Sequence, residues 1–187
     1  LVDEVLPAID ARYPTAPFRV LAGWSLGGLF TVETFLAEPE AFRAYLAISP
    51  SLWWDDRRTE RSLEGETAPV TSSAARRLAI TLGSREVDTL VERSTLAFVQ
   101  HLEAHPTPDG ELDVIRLEGL GHSLAPKLAF FEGLATLFDD WGIPPARIAE
   151  GLDAIDAYYA SLSHRYGMPV PVPEDAYGSL GWSLVGD

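Results

Sequence analysis

The stretch FRVLAGWSLGGLF, residues 18–30, changes character abruptly at a serine. It begins as a short, mostly apolar strand, turns sharply through GWSLG at 23–27, and continues as an apolar helix. This pentapeptide matches G-x-S-x-G, the strand-to-helix turn that holds a serine side chain outward as a nucleophile. Because the motif lies after a strand and before a helix, the sequence predicts that Ser25 is a nucleophile rather than a packed turn residue.

Three more strands follow, and helical patterns separate them. They are predicted at AYLAIS (44–49), RRLAITLG (76–83) and ELDVIRLEG (111–119). Continuous apolar runs of this length suit parallel strands that are covered on both faces. The alternation predicts an α/β fold, with a mostly parallel sheet flanked by helices and right-handed crossovers. Residues 55–76 are charged and irregular, and they predict a loop with at most one helical turn.

The composition changes after Gly142. The segment 143–167, IPPARIAEGLDAIDAYYASLSHRYG, predicts one further helix, and the tail beyond it is Pro-rich and then apolar. That tail is either a strap packed on the domain or a linker. We therefore expect a domain over 1–142 and a helical extension over 143–187. The chain starts without methionine inside a helical pattern, which predicts that the domain is incomplete at its N-terminus.

Composition limits the partners. The 187 residues carry a formal net charge of −14, which argues against binding to nucleic acid or an anionic membrane surface. The chain has no cysteine, so disulfides and thiolate metal sites are excluded and the compartment stays open. No apolar run is as long as a membrane span. Phosphate loops, dinucleotide motifs and clustered metal ligands are also absent, so we expect no cofactor and no metal.

A serine nucleophile needs a base, usually a histidine. His122, in GLGHS, directly follows the fourth predicted strand and should emerge at the same sheet edge as Ser25. A capping or core histidine is the alternative interpretation. His101 and His105 lie four apart in HLEAH, but no third metal ligand is evident, so a solvated helix end is favoured. His164 is expected at the surface of the last helix.

The carboxylate that orients the base should come from a third strand end, between the serine and the histidine in chain order. Glu86 lies three residues past Gly83, where the chain has left the third strand. Asp88 is the alternative acid, although its side chain could instead cap the following helix. We favour Glu86. The order Ser25, Glu86, His122 is more specific than any one of these residues alone.

Four motifs together carry a family resemblance: AGWSLGGLF, ISPSLWW, LGSRE and GLGHS. With them the chain resembles the putative-esterase family of α/β hydrolases, which includes siderophore esterases and feruloyl-esterase-like enzymes, over about residues 1–140. Some bacterial members are similar into LSHRYGMPVPVPE as well. The resemblance implies hydrolysis of a small ester through an acyl-enzyme, with Ser25, Glu86 and His122 as the triad. An acyltransferase with the same triad and a non-catalytic binding scaffold are the alternatives.

Further site residues are predicted around this triad. The N–H of Leu26 is expected to donate to the oxyanion, and family members would take a second donor from strands that precede the nucleophile strand. Family members often carry histidine where this chain has Trp24, a change expected to alter the pocket. Trp53 and Trp54 are candidates for a substrate pocket or for the core. Ser49 and Ser51 are interpreted as turn residues.

Overall fold

The computed structural model describes residues 1–38, 40–65, 76–106 and 110–178. Contacts divide the chain into two compact units. One is Arg19–Leu137, and the other combines Leu1–Phe18 with the segment from Phe138 onward. The residues before the first strand therefore group with the C-terminal segment, and the predicted boundary between 142 and 143 stays a prediction.

A four-stranded sheet forms the centre of the Arg19–Leu137 unit. The strands are β1 (Val20–Trp24), β2 (Ala44–Ile48), β3 (Arg76–Gly83) and β4 (Gly110–Leu117), in the order β1-β2-β3-β4. All three pairings are parallel, as the sequence predicts. Every residue of β2 and β3 is buried, whereas the two edge strands are partly exposed. The apolar runs in the sequence thus mark the two strands that are covered on both faces.

Helices cover both faces of this sheet. Four helices belong to the unit of the sheet: α2 (Leu26–Ala37), α3 (Trp54–Gly65), α4 (Leu90–Ala104) and α5 (Ala125–Leu137). The other unit contains α1 (Val5–Asp10), α6 (Pro145–Ile148) and α7 (Leu152–Tyr166). The Tyr45 ring packs edge-on against Phe35 of α2. A Cβ added at Gly133 of α5 would lie 2.3 Å from Leu46 Cδ1, so that leucine faces α5. Since adjacent strand residues point to opposite faces, α2 and α5 lie on opposite sides of the sheet.

Two predictions about helices are wrong. The stretch expected as a loop contains α3, which begins with three left-handed residues at 55–57 and which hydrophobic periodicity missed because its residues are mostly charged. The single helix expected over 143–167 is two helices, α6 and α7. Gly151 separates them with a φ of 106°, a conformation that a helix interior does not accommodate. Residues 66–75 of the expected loop and the end of the tail, from residue 179, lie outside the described residues.

The second unit has its own core. Tyr166 of α7 stacks on Phe138 with ring centroids 5.6 Å apart, and its hydroxyl donates to Asp140 Oδ1. Arg165 Nε lies 3.0 Å from the other carboxylate oxygen of Asp140. Ile155 and Leu162 are buried in the same cluster. None of the helices in the described parts of the chain combines the length and the apolar character that crossing a bilayer requires.

Candidate active site

The turn between β1 and α2 holds Ser25 in a strained conformation. Its φ is 59° and its ψ is −115°, a combination that costs a non-glycine residue on the order of 1–3 kcal/mol. A Cβ at Gly23 would lie 2.1 Å from the carbonyl oxygen of Gly27, so only glycine fits there. A Cβ at Gly27 itself would meet nothing within 4 Å. Space therefore requires the first glycine of the motif and not the second.

Three predicted residues from separate strand ends meet at this turn. Ser25 Oγ lies 3.0 Å from Nε2 of His122, in the loop after β4. Nδ1 of the same imidazole lies 2.7 Å from Oε1 of Glu86, which ends a short 3₁₀ turn after β3 (Ser84–Glu86). The structure thus brings together the three residues that the sequence selects.

The Glu86 carboxylate is 3% exposed and is held at both oxygens. Its Oε2 accepts hydrogen bonds from the Ser49 hydroxyl at 2.8 Å and from the Gly83 N–H at 2.7 Å. A Cβ at Gly83 would lie 2.4 Å from the Leu120 carbonyl oxygen, and that oxygen also accepts from the Arg85 N–H. The loop leading to His122 therefore packs directly on the segment that carries the acid.

Ser49 and Ser51 are functional candidates that sequence reasoning missed, because neither serine lies in a G-x-S-x-G motif. Ser51 Oγ lies 3.2 Å from Ser25 Oγ, and the Ser51 N–H donates to the Ser25 carbonyl at 3.0 Å. Both serines are at most 3% exposed. Their position directly after β2 was the available signal, since carboxyl ends of parallel strands meet at one edge of the sheet.

Leu26 is the first residue of α2, so its N–H has no acceptor within the helix. Among the described residues nothing accepts a hydrogen bond from this N–H. The positive end of a helix dipole favours negative charge at the same place. The N–H is therefore available to an oxyanion formed next to Ser25.

The three candidate pocket tryptophans differ in their contacts. The Trp24 ring lies 5.3 Å from the His122 ring, and 41% of the residue is exposed. Trp54 is also exposed, and it packs edge-on against Trp53 with centroids 5.8 Å apart. In the described part of the chain, Trp24 alone of the three has a ring contact with the predicted triad. Trp53 and Trp54 remain pocket candidates.

Asp88 is exposed, and among the described residues the imidazole of His122 has Glu86 and Ser25 as its hydrogen-bonding partners. Its N–H donates to Glu92 Oε2 at 2.7 Å. The prediction that its side chain might cap α4 is wrong, because the cap is Thr89, whose Oγ1 accepts from the Glu92 N–H.

The other three histidines do not belong to the predicted triad. The rings of His101 and His105 stack at 4.5 Å near the end of α4, and His164 is exposed on α7. Within the described ranges, no three His, Cys, Asp or Glu side chains gather as a metal site would require.

Parallel strands with helices on both faces, and a strained serine where one strand turns into a helix, are the architecture of the α/β-hydrolase class. The sequence profile of the family described as "Putative esterase" matches residues 1–106, more than half of the chain, and the chain belongs to that family. The resemblance carried by the four motifs is confirmed.

Known proteins of this kind are similar along much of the chain. The siderophore triacetylfusarinine C esterase of Aspergillus fumigatus is 26% identical over 165 residues, which cover 74% of this chain and 56% of the relative. The siderophore enterobactin esterase of Emericella nidulans is 36% identical over 93 residues, 46% of this chain and 30% of the relative.

A solved structure supports the fold. The crystal structure of an IroE-like serine hydrolase from Shewanella oneidensis has a TM-score of 0.73 at 21% identity and covers 95% of this chain and 57% of its own. At that identity the likeness shows the shared fold. The chain thus covers between 30% and 57% of the length of these three proteins.

Proposed function

We propose that this chain carries the reaction centre of an esterase that cleaves carboxylic esters through an acyl-enzyme on Ser25. One observation carries the proposal: a continuous line of hydrogen-bonding contacts runs from Ser25 Oγ through His122 to Glu86 Oε1. Nucleophile, base and orienting carboxylate must stand in this relation for a serine to react at neutral pH. Membership of the putative-esterase family supports the same reaction.

In the acylation step, Ser25 Oγ attacks the ester carbonyl carbon while its proton passes to His122 Nε2, 3.0 Å away. Glu86 keeps the Nδ1 proton in place and stabilises the imidazolium. The carbonyl oxygen becomes an oxyanion that the Leu26 N–H binds, an interaction worth about 3–4 kcal/mol for a single donor. The C–O bond to the alcohol then breaks, and the alcohol leaves with the proton from His122.

Deacylation repeats these steps with water. His122 Nε2 takes a proton from water as the water oxygen attacks the acyl carbon. The bond from that carbon to Ser25 Oγ breaks, the carboxylic acid leaves, and His122 returns the proton to the serine. One ester and one water thus become one acid and one alcohol, and the enzyme regains its starting state.

The proposed substrate is a small-molecule ester of the siderophore type. The relatives above are named as esterases of triacetylfusarinine C and of enterobactin, both called siderophores. Trp24 supports a substrate with an apolar or aromatic group near the scissile bond, because its exposed ring lies beside His122.

The proposal is tested by measuring the hydrolysis of a nitrophenyl ester and of enterobactin. The parent chain is compared with Ser25→Ala and Ser161→Ala. Ser161 is an exposed serine of α7 and serves as the control. We expect a burst of nitrophenol equal to the enzyme concentration in the parent and in Ser161→Ala. Ser25→Ala should lose on the order of a thousand-fold or more in kcat. Parental turnover by Ser25→Ala would contradict the proposal and favour a non-catalytic scaffold.

A further inference from the structure

The turn after β2 places two buried hydroxyls at the two ends of the Ser25–His122–Glu86 line. We propose that Ser49 is a positioning residue for the acid, and that Ser51 fixes the nucleophile by direct contact. This inference rests on the proposed function and extends it, because neither serine belongs to the triad.

Ser49 acts on the carboxylate oxygen that faces away from the histidine. Its hydroxyl donates to Glu86 Oε2 at 2.8 Å, beside the Gly83 N–H at 2.7 Å. These two donors fix the rotation of the carboxylate, so that Oε1 points at Nδ1 of His122. Without the hydroxyl, the buried Oε2 keeps only the Gly83 N–H as a donor, and the rotation of the carboxylate is less restrained.

The backbone of Ser49 is held in a conformation that serine rarely adopts. Its φ is 41°, in the left-handed region that glycine and asparagine occupy more readily than serine, and the residue is fully buried. Its N–H donates to the Thr81 carbonyl of β3 at 2.8 Å, which holds the turn against the strand that leads to the acid. Strain of this kind persists where the surrounding structure imposes it, often at functional sites.

Ser51 acts on the nucleophile, and the direction of its hydrogen bond follows from counting protons. Ser25 has one hydroxyl proton, which must point at His122 Nε2 if the histidine is to accept it. The Ser51 hydroxyl, 3.2 Å from Ser25 Oγ, is then the donor of that contact. It holds Ser25 Oγ in the orientation whose proton reaches the base.

Three contacts connect this turn to the strand-to-helix turn that holds Ser25. The Ser25 N–H donates to the Ile48 carbonyl, and the Ser51 N–H donates to the Ser25 carbonyl, both at 3.0 Å. A Cβ at Gly28 would lie 2.9 Å from Pro50 Cα, so α2 packs directly on the turn. The turn that carries the two hydroxyls is therefore attached directly to the backbone around Ser25.

The test compares four variants: Ser49→Ala, Ser49→Gly, Ser51→Ala and the control Ser94→Ala. Ser94 is a buried serine of α4, and its hydroxyl donates to the Leu90 and Val91 carbonyls of its own helix. Each variant is assayed for kcat and KM on a nitrophenyl ester and for the low-field ¹H NMR signal of the His122 Nδ1 proton. A residue that only supports folding would not change that signal in a folded chain.

For Ser49→Ala we expect about a ten- to hundred-fold lower kcat, little change in KM and a shifted or lost Nδ1 signal. Ser49→Gly should show the same losses although it relieves the left-handed strain, which separates loss of the hydroxyl from misfolding. Ser51→Ala should keep the Nδ1 signal and lose about two- to ten-fold in kcat. Ser94→Ala should match the parent in both.

The role of Ser49 would be overturned if both Ser49 variants kept the parental kcat and an unchanged Nδ1 signal. The role of Ser51 would be overturned if Ser51→Ala kept the parental kcat. The proposed function would stand in either case. A parent chain that does not hydrolyse the nitrophenyl ester, or a Ser25→Ala variant that hydrolyses it as fast as the parent, would overturn the proposed function and the inference with it. The two failures are therefore distinguishable in one set of assays.

Discussion

Gly23 and Gly27 flank Ser25 symmetrically in the sequence, yet a Cβ at Gly23 would lie 2.1 Å from the carbonyl oxygen of Gly27, whereas a Cβ at Gly27 would meet no atom within 4 Å. The first glycine lets the end of β1 approach the first turn of α2. The second lies inside that helix, where the structure leaves room for a side chain.

Gly23→Ala and Gly27→Ala should therefore differ in stability. Gly23→Ala must displace the backbone of α2, and we expect a loss of about 1–3 kcal/mol or more in the free energy of unfolding. Gly27→Ala should be neutral or stabilising by up to about 1 kcal/mol, because alanine favours a helix over glycine. Urea unfolding of both variants measures the difference, and equal losses would contradict the account.

Glu86→Gln should lower kcat far more than the loss of a single hydrogen bond would. The amide oxygen can replace Oε2 as acceptor for Ser49 and Gly83, which leaves the NH₂ group facing His122 Nδ1. Nδ1 of His122 must then accept a hydrogen bond from the amide, so the ring proton moves to Nε2. An imidazole protonated at Nε2 cannot take the Ser25 proton. We expect kcat to fall on the order of a thousand- to ten-thousand-fold, as for the wrong tautomer in other triads.

Asp88→Asn is the matched control, since it removes the other candidate carboxylate. Asp88 is exposed, and its hydrogen bond to Glu92 uses the backbone N–H rather than the side chain. We expect parental kcat in steady-state assays. A large loss in Asp88→Asn with little loss in Glu86→Gln would assign the acid to Asp88 instead.

Glu92 should make the stability of the fold depend on pH. The hydrogen bond from Arg116, and then that from the Asp88 N–H, lower the pKa of Glu92. A carboxylate with a lowered folded-state pKa stabilises the fold above its unfolded pKa of about 4.3, and this contribution is lost as the pH falls through the folded value.

Glu92→Gln should therefore lower the free energy of unfolding at pH 7, by on the order of 1 kcal/mol, and change it less at pH 3. Urea unfolding at the two pH values measures this, with the exposed Glu118→Gln as the control. The same loss at both pH values would show that the pair does not depend on the charge of Glu92.

Trp24→Ala should affect His122 without removing the nucleophile. The tryptophan ring lies 5.3 Å from the imidazole and packs against it. Aromatic pairs contribute about 0.5–1.5 kcal/mol beyond their buried area, so we expect roughly a two- to ten-fold lower kcat/KM on aromatic esters and a smaller change on acetyl esters. Equal changes for both ester classes would indicate that Trp24 only orients the histidine.

The sequence predicts the sheet well because one physical pattern determines it. Parallel strands covered on both faces are largely apolar. All of β2 has that pattern, and so have residues 78–82 of β3 apart from Thr81, although β3 begins with two buried arginines. Strand ends then place Ser25, Glu86 and His122 at one edge. Helices whose pattern is weaker are predicted less well. The charged α3 has little apolar periodicity, and the break between α6 and α7 depends on the left-handed backbone of Gly151.

Ser49 and Ser51 show what local sequence cannot supply. Their hydroxyls matter because of partners 37 and 26 residues away, and serine is common in turns. Nothing within SPSLWW distinguishes a serine that bonds a distant carboxylate from one that completes a turn. Such contacts follow from the register of β2 beside β1 and β3, which only the assembled sheet fixes.

The central claim is that Ser25 is a nucleophile activated by His122. The most direct test is peptide mapping after treatment with a fluorophosphonate. The account predicts one adduct per chain, located on Ser25, absent in Ser25→Ala and formed at least about a thousand-fold more slowly in His122→Ala. An unreactive parent chain, an adduct on another residue, or a parental labelling rate in His122→Ala would contradict it.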